Sequence, residues 1–81
     1  MGQPDAMSRR VGKLCRLFRQ NRLRMTQREF GYLCGYTESS IGAFENGRTR
    51  NYRILLEYMG QGLLDYVTVD ELCGYVPGRW S

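Results

Sequence analysis

The sequence predicts an all-α fold, a small bundle of about five short helices, and three observations carry that prediction. Apolar residues recur at spacings of three and four through most of the chain. Ser8, Thr26, Thr37 and Thr68 each stand immediately before one of these periodic runs, where a helix takes its N-cap. Gly35 and Gly47 stand immediately after two of them, where a helix ending in a left-handed residue favours glycine.

Residues 1–7 read as a short disordered lead with Gly2, Pro4 and little apolar content, and Met7 is an alternative start. Residues 8–73 read as one domain and 74–81 as a tail. The first helix runs from its cap at Ser8 to about Arg22. Val11, Leu14, Cys15 and Phe18 share one face of it, with Arg9, Arg10, Lys13, Arg16 and Gln20 on the others. Gly12 weakens this helix by roughly 1 kcal/mol relative to alanine, unless something packs closely there.

The stretch 26–46 is the centre of the prediction. Thr26 and Glu29 form a capping box, and Phe30, Leu33 and Cys34 then fall on one helical face. Gly35 takes the turn, Thr37 caps the next helix, and Ile41 and Phe44 supply its buried side. Ile41 and Phe44 are expected to pack on Phe30 and Leu33, with Gly31 letting the two helices approach. Helices joined by so short a turn cross steeply, which is helix-turn-helix geometry.

Beyond Gly47, Arg48–Arg53 is a basic loop, and Arg53 to about Met59 is helical, with Ile54, Leu55 and Tyr58 as core candidates. Gly60 and Gly62 interrupt it. Leu63–Val67 either extends that helix after a kink or begins another. Thr68 caps a last short helix through Leu72, and 74–81 is turn-rich. Of the apolar residues after Gly62, Leu63, Leu64 and Leu72 are read as core.

Charge is divided along the chain. Residues 1–53 hold eleven Lys/Arg against four Asp/Glu, net +7, whereas 54–81 hold one against four, net −3. A basic front of this kind points to a polyanion such as nucleic acid, and ten of its eleven cations are arginine, whose fork suits phosphate. Cys15, Cys34 and Cys73 are odd in number, form no C-x-x-C pair and lie in apolar patterns, so they read as small buried side chains. The chain contains no histidine, which removes most zinc sites and most general-base mechanisms. With no Gly-rich phosphate loop and no paired carboxylates either, no enzyme, cofactor or metal is expected. No apolar run approaches a membrane span or a signal-peptide core, and a cytoplasmic protein is expected.

Counting Gln27 as the first position, Gly31 is fifth, Gly35 ninth, Ile41 fifteenth and Phe44 eighteenth, and the run continues Phe44-Glu-Asn-Gly-Arg-Thr-Arg50. In this spacing residues 8–60 resemble the phage repressor and Cro-type, lambda repressor-like helix-turn-helix family. The resemblance requires one extra residue within 21–25, and with it Arg19 and Glu45 fall where the family forms an ion pair. It implies that the third helix, about Glu38 to Glu45, enters the major groove of double-stranded DNA. Thr37, Glu38, Ser39 and Ala43 would then read bases, with Gly42 flanking, while Gln27, Arg28, Asn46, Arg48, Arg50 and Arg53 would bind phosphates. The base-reading set departs from the family's usual glutamine, asparagine and arginine. Glu38 either accepts from cytosine N4 or only stabilises the helix start.

The resemblance further implies a homodimer on a palindromic operator, and among the apolar and aromatic residues after Gly62, Tyr66, Tyr75 and Trp80 are the candidate dimer or partner contacts. The function expected is a small phage or mobile-element repressor working by operator occupancy in a bacterial cell or infected host. The alternative is a protein-interaction module, an antitoxin or a phage-encoded inhibitor of a host nucleic-acid enzyme, which meets its partner through the acidic C-terminal part.

Overall fold

The computed structural model describes residues 6–74, and these contain six α-helices and no strand. The helices are α1 (Ala6–Phe18), α2 (Gln27–Cys34), α3 (Glu38–Glu45), α4 (Tyr52–Gly60), α5 (Leu63–Tyr66) and α6 (Val69–Cys73). A π turn, Arg19–Leu23, continues α1. The all-α prediction holds, with six helices in place of about five.

Helix α1 starts at Ala6, so Ser8 lies inside its first turn and is not its cap. Ala6 and Met7 are both good helix formers and carry the helix back past it. Val11, Cys15 and Phe18 are buried from this helix, and Leu14 is half-buried. The π turn closes with Arg24 in the left-handed region (φ 54°), its N–H donating to the Arg19 carbonyl. A π turn takes one more residue per turn than an α turn.

The local signals at α2 and α3 act as read. The Thr26 hydroxyl accepts from the Glu29 N–H at 3.0 Å, and the Glu29 carboxylate accepts from the Thr26 N–H at 2.8 Å. Gly35 takes the left-handed C-cap at φ 83°. The Thr37 hydroxyl caps α3 by accepting from the Ser40 N–H at 3.1 Å. Gly31 admits the turn and not α3 itself, because a Cβ there would lie 2.5 Å from the Tyr36 carbonyl oxygen.

Leu33 is a correction: it is about half exposed and is not a partner of Ile41 and Phe44. At about 100° per residue, Leu33 lies about 60° to one side of Phe30, while Cys34 and Gly31 lie to the other. The buried residues of α2 are Phe30 and Gly31, so the helix turns that second side inward.

Asn51 opens α4 by accepting from the Arg53 N–H at 3.1 Å. Gly62, at φ 104°, separates α4 from α5, so 63–66 is a helix of its own. Thr68 and Glu71 form a second capping box at α6. Leu63, Val67 and Leu72 enter the core, but Leu64 is exposed because a single turn of helix turns few positions inward. Cys73 is exposed as well, against the expectation of three buried cysteines; Cys15 is buried and Cys34 half-buried.

The core is one cluster drawing on every helix. At its centre the Tyr58 ring stacks on Phe30, with centroids 4.3 Å apart, and on Phe44 at 5.8 Å. Helix α1 crosses the C-terminal end of α3 at Gly12, where a Cβ would lie 2.4 Å from the Glu45 carbonyl oxygen.

Candidate nucleic-acid interface

Helix α3 is buried through Ile41, Phe44 and Glu45 and presents Glu38 and Ser39 to solvent, with Ala43 half-buried. Two segments border its outer side. The loop after α3 is one: Ser39, Ser40 and Ala43 share a shallow hollow of about 250 Å³ with Thr49, Asn51 and Ile54. The start of α2 is the other, since the Gln27 side chain lies over Gly42, 3.3 Å from where a Cβ would be.

Both borders are cationic. Asn46, Arg48, Arg50 and Arg53 are exposed on the loop and the first turn of α4. Gly47 lets the loop meet α1, because a Cβ there would come within 2.8 Å of the Arg9 backbone, so Arg9 joins this border. Arg28 is exposed at the start of α2. Four of the six residues expected at phosphates thus lie together on one border, and the other two lie at the start of α2.

Beneath the surface, one carboxylate ties four helical segments. Arg19 makes a two-pronged ion pair with Glu45, Nε to Oε2 at 2.7 Å and Nη2 to Oε1 at 2.9 Å. This is the pair that the sequence led us to expect. The same carboxylate accepts from Gln27 Nε2 at 3.1 Å and from the Tyr58 hydroxyl. Burial opposes charge on Glu45, but the hydrogen bonds from Arg19, Tyr58 and Gln27 outweigh it and hold the carboxyl below its ordinary value of 4.5. The hydrogen bond to Glu45 raises the Arg19 guanidinium. Burial, and then the Glu45 charge, pushes the Cys15 thiol up to about 12, and burial with the Glu45 hydrogen bond raises the Tyr58 hydroxyl well above 10.0.

These directions fix a stability profile. Glu45 has its folded value lowered, so its contribution is complete above 4.5 and is lost as pH falls through the lower folded value. Cys15 and Tyr58 have theirs raised, so their contributions are complete below 9.0 and 10.0 and are lost as pH rises beyond those values. The expected melting curve against pH is flat from about 6 to about 8.5 and falls at both ends. Cys15→Ala should flatten the alkaline limb. An alkaline limb of unchanged slope in that variant would assign it to other groups.

No protein-family model, curated protein or solved structure matches this chain. Among the described residues, no group of three or more His, Cys, Asp and Glu is placed to hold a metal, and no helix is long and apolar enough to cross a membrane.

Some expected residues stand differently from the reading. Gln27 was expected at a phosphate, yet its amide is turned inward to Glu45. The Thr37 hydroxyl is engaged with Ser40, both as acceptor from its N–H and as donor to its Oγ at 2.9 Å. Tyr66 packs within the monomer: its ring lies 5.8 Å from Phe18 and 5.3 Å below the Arg22 guanidinium, and its hydroxyl accepts from Asn21. Tyr75 and Trp80 lie outside the described residues. Sequence reasoning took Tyr58 as a core residue only and missed its hydroxyl in the Glu45 network. A signal for Gln27 was present in Gly42, a helix position with no side chain to fill the space before it.

Proposed function

We propose that this chain is a sequence-specific DNA-binding regulator, a small repressor of phage or mobile-element type that occupies its operator as a dimer. The observation that carries the reading is α3, whose exposed, uncrowded outer face is bordered on both sides by cationic segments. A helix of that kind seats in a major groove while its borders neutralise phosphates of the two flanking strands. Glu38, Ser39 and Ala43 offer few base contacts, so sequence preference leans on duplex shape and on the arginine loop.

The test is selection from a random duplex library at moderate salt, with the mass of the protein in solution measured alongside. Recovery of a palindrome bound by a dimer supports the reading, and failure to enrich any motif counts against it. Arg48→Ala combined with Arg50→Ala should weaken binding to all sequences by about tenfold or more and flatten the salt dependence by roughly one unit per residue. Unchanged affinity would remove the loop from the interface.

A second reading is favoured by one specific observation. Tyr32 is 91% exposed, and Leu33, Tyr52, Leu56, Leu64 and Val69 are exposed as well, which is much apolar surface for a small chain. A protein-interaction module, such as an antitoxin or an inhibitor of a nucleic-acid enzyme, would use such surface. A tight protein complex that survives the Arg48 and Arg50 replacements would favour that reading.

A further inference from the structure

From Arg16 to Arg28 the chain carries five arginines and no acidic residue. Two of the five are engaged with other groups: Arg19 with Glu45, and Arg22 over the Tyr66 ring. Of the other three, Arg16 is half-buried, and Arg24 and Arg28 are exposed. Arg24 borders a hollow of about 620 Å³ at the π turn, with Gln20, Asn21 and Thr26 also lining it. No carboxylate lines that hollow. The nearest acid in sequence, Glu29, is turned to the Thr26 N–H.

The wall of this hollow is held in register with α3. Both the Arg24 N–H and the Met25 N–H donate to the Arg19 carbonyl, the latter at 3.2 Å. In return, Arg19 Nη1 donates to the Met25 carbonyl at 2.7 Å. The same guanidinium is forked onto Glu45 at the end of α3, so one side chain ties the π turn to α3. Thr26 in the wall of the hollow leads directly into Gln27, which lies over Gly42, whereas the hollow of the 46–53 loop opens on Ser39, Ser40 and Ala43.

We propose that this hollow is a second phosphate site for duplex DNA, in which Arg24 and the Gln20 amide hold one backbone phosphodiester. The proposal rests on the DNA-binding reading above. The chemistry is that of an exposed guanidinium on a fixed backbone, with an amide donor lining the same hollow and no anion to compete, which suits a phosphodiester oxygen pair. With Gln27 turned inward, this flank of α3 takes its cation from Arg24 and Arg28. The π turn thus supplies on one flank what the arginine loop supplies on the other.

Arg24→Gly tests this cleanly. Arg24 sits at φ 54°, a conformation that glycine adopts freely, so the variant removes the guanidinium without straining the turn. Arg22→Ala removes the same charge from the same turn but away from the hollow, and serves as the control. Binding of each to duplex DNA is measured across a range of salt, with melting temperatures alongside. Arg24→Gly is expected to melt at or above the wild-type temperature, to bind about three- to tenfold more weakly, and to shallow the salt slope by about one. Arg22→Ala is expected to stay within about twofold of wild type, with its slope kept. Wild-type binding with equal slopes in both variants overturns the second site and leaves the DNA-binding reading standing. Wild-type protein with no salt-sensitive duplex binding overturns both.

Discussion

Glu45→Ala is expected to remove about 3–5 kcal/mol of folding stability, measured as a shift in the urea midpoint at neutral pH. The reason is what the substitution leaves behind. Arg19, only 4% exposed, would keep a full positive charge after losing both bonds to its carboxylate, with the Met25 carbonyl still accepting from Nη1. The Tyr58 hydroxyl and the Gln27 amide would lose their acceptor in the same step. For 81 residues the whole folding free energy is roughly 4–12 kcal/mol, so the loss is between about a quarter of it and all of it. Tyr58→Phe removes a single donor and keeps the ring stack on Phe30, and should lose only about 1–3 kcal/mol. Adding Arg19→Met to Glu45→Ala should recover part of the loss, because the stranded charge is gone. If the double variant were no more stable than Glu45→Ala alone, the stranded charge would not be the cause.

This network also shows where sequence reasoning reaches its limit. Capping is local: Thr26 with Glu29, Thr37 with Ser40 and Thr68 with Glu71 each lie within three residues, so the chain itself brings the groups together. The turn at Gly35 is equally local. Arg19 and Glu45 are 26 positions apart, and only the resemblance to a known spacing paired them. Nothing of that kind pointed to Tyr58. A 3.6-residue period says that its ring faces inward, but not which carboxylate its hydroxyl meets.

The same limit applies at the edges of buried faces. Spacings of three and four define an arc, and on an eight-residue helix the arc can turn either way. Leu33 was read as inside on its spacing from Phe30, yet Gly31 and Cys34 fixed the arc on the other side. Gly31 was the usable clue, because a residue without a side chain marks where backbone comes close. In α5 and α6 the arc shrinks to one residue each, Leu63 and Leu72, so Leu64 and Cys73 fell outside it. On the candidate interface, the arginines of 48–53 were legible because loop and charge are both local properties. The inward turn of Gln27 was only half legible: Gly42 marks the space it fills, but its acceptor Glu45 is brought there by the fold.

A paired alanine experiment separates packing from helix preference. Gly12→Ala within α1 and Gly60→Ala at the last residue of α4 make the same chemical change in helical backbone, and the lower chain entropy of alanine favours both by about 0.4–1 kcal/mol. Around Gly60 there is nothing within 4 Å of the new Cβ, so that variant should keep the gain and melt about 2–8 °C higher. Around Gly12 the new Cβ would meet the Glu45 oxygen at 2.4 Å, the Phe44 oxygen at 2.6 Å and the Glu45 carbonyl carbon at 2.7 Å. All three are backbone atoms, and no rotamer change relieves them. Helix α1 must back away from α3, which loosens the packing of Val11 and Cys15 and lengthens the Arg19–Glu45 fork. Overpacking of this kind costs about 1–3 kcal/mol or more, so Gly12→Ala should be destabilised despite its better helix former. The expected result is a pair of opposite signs in one protein. A Gly12→Ala variant that melts as high as Gly60→Ala would show that α1 and α3 do not meet at the distance that aligns Arg19 with Glu45.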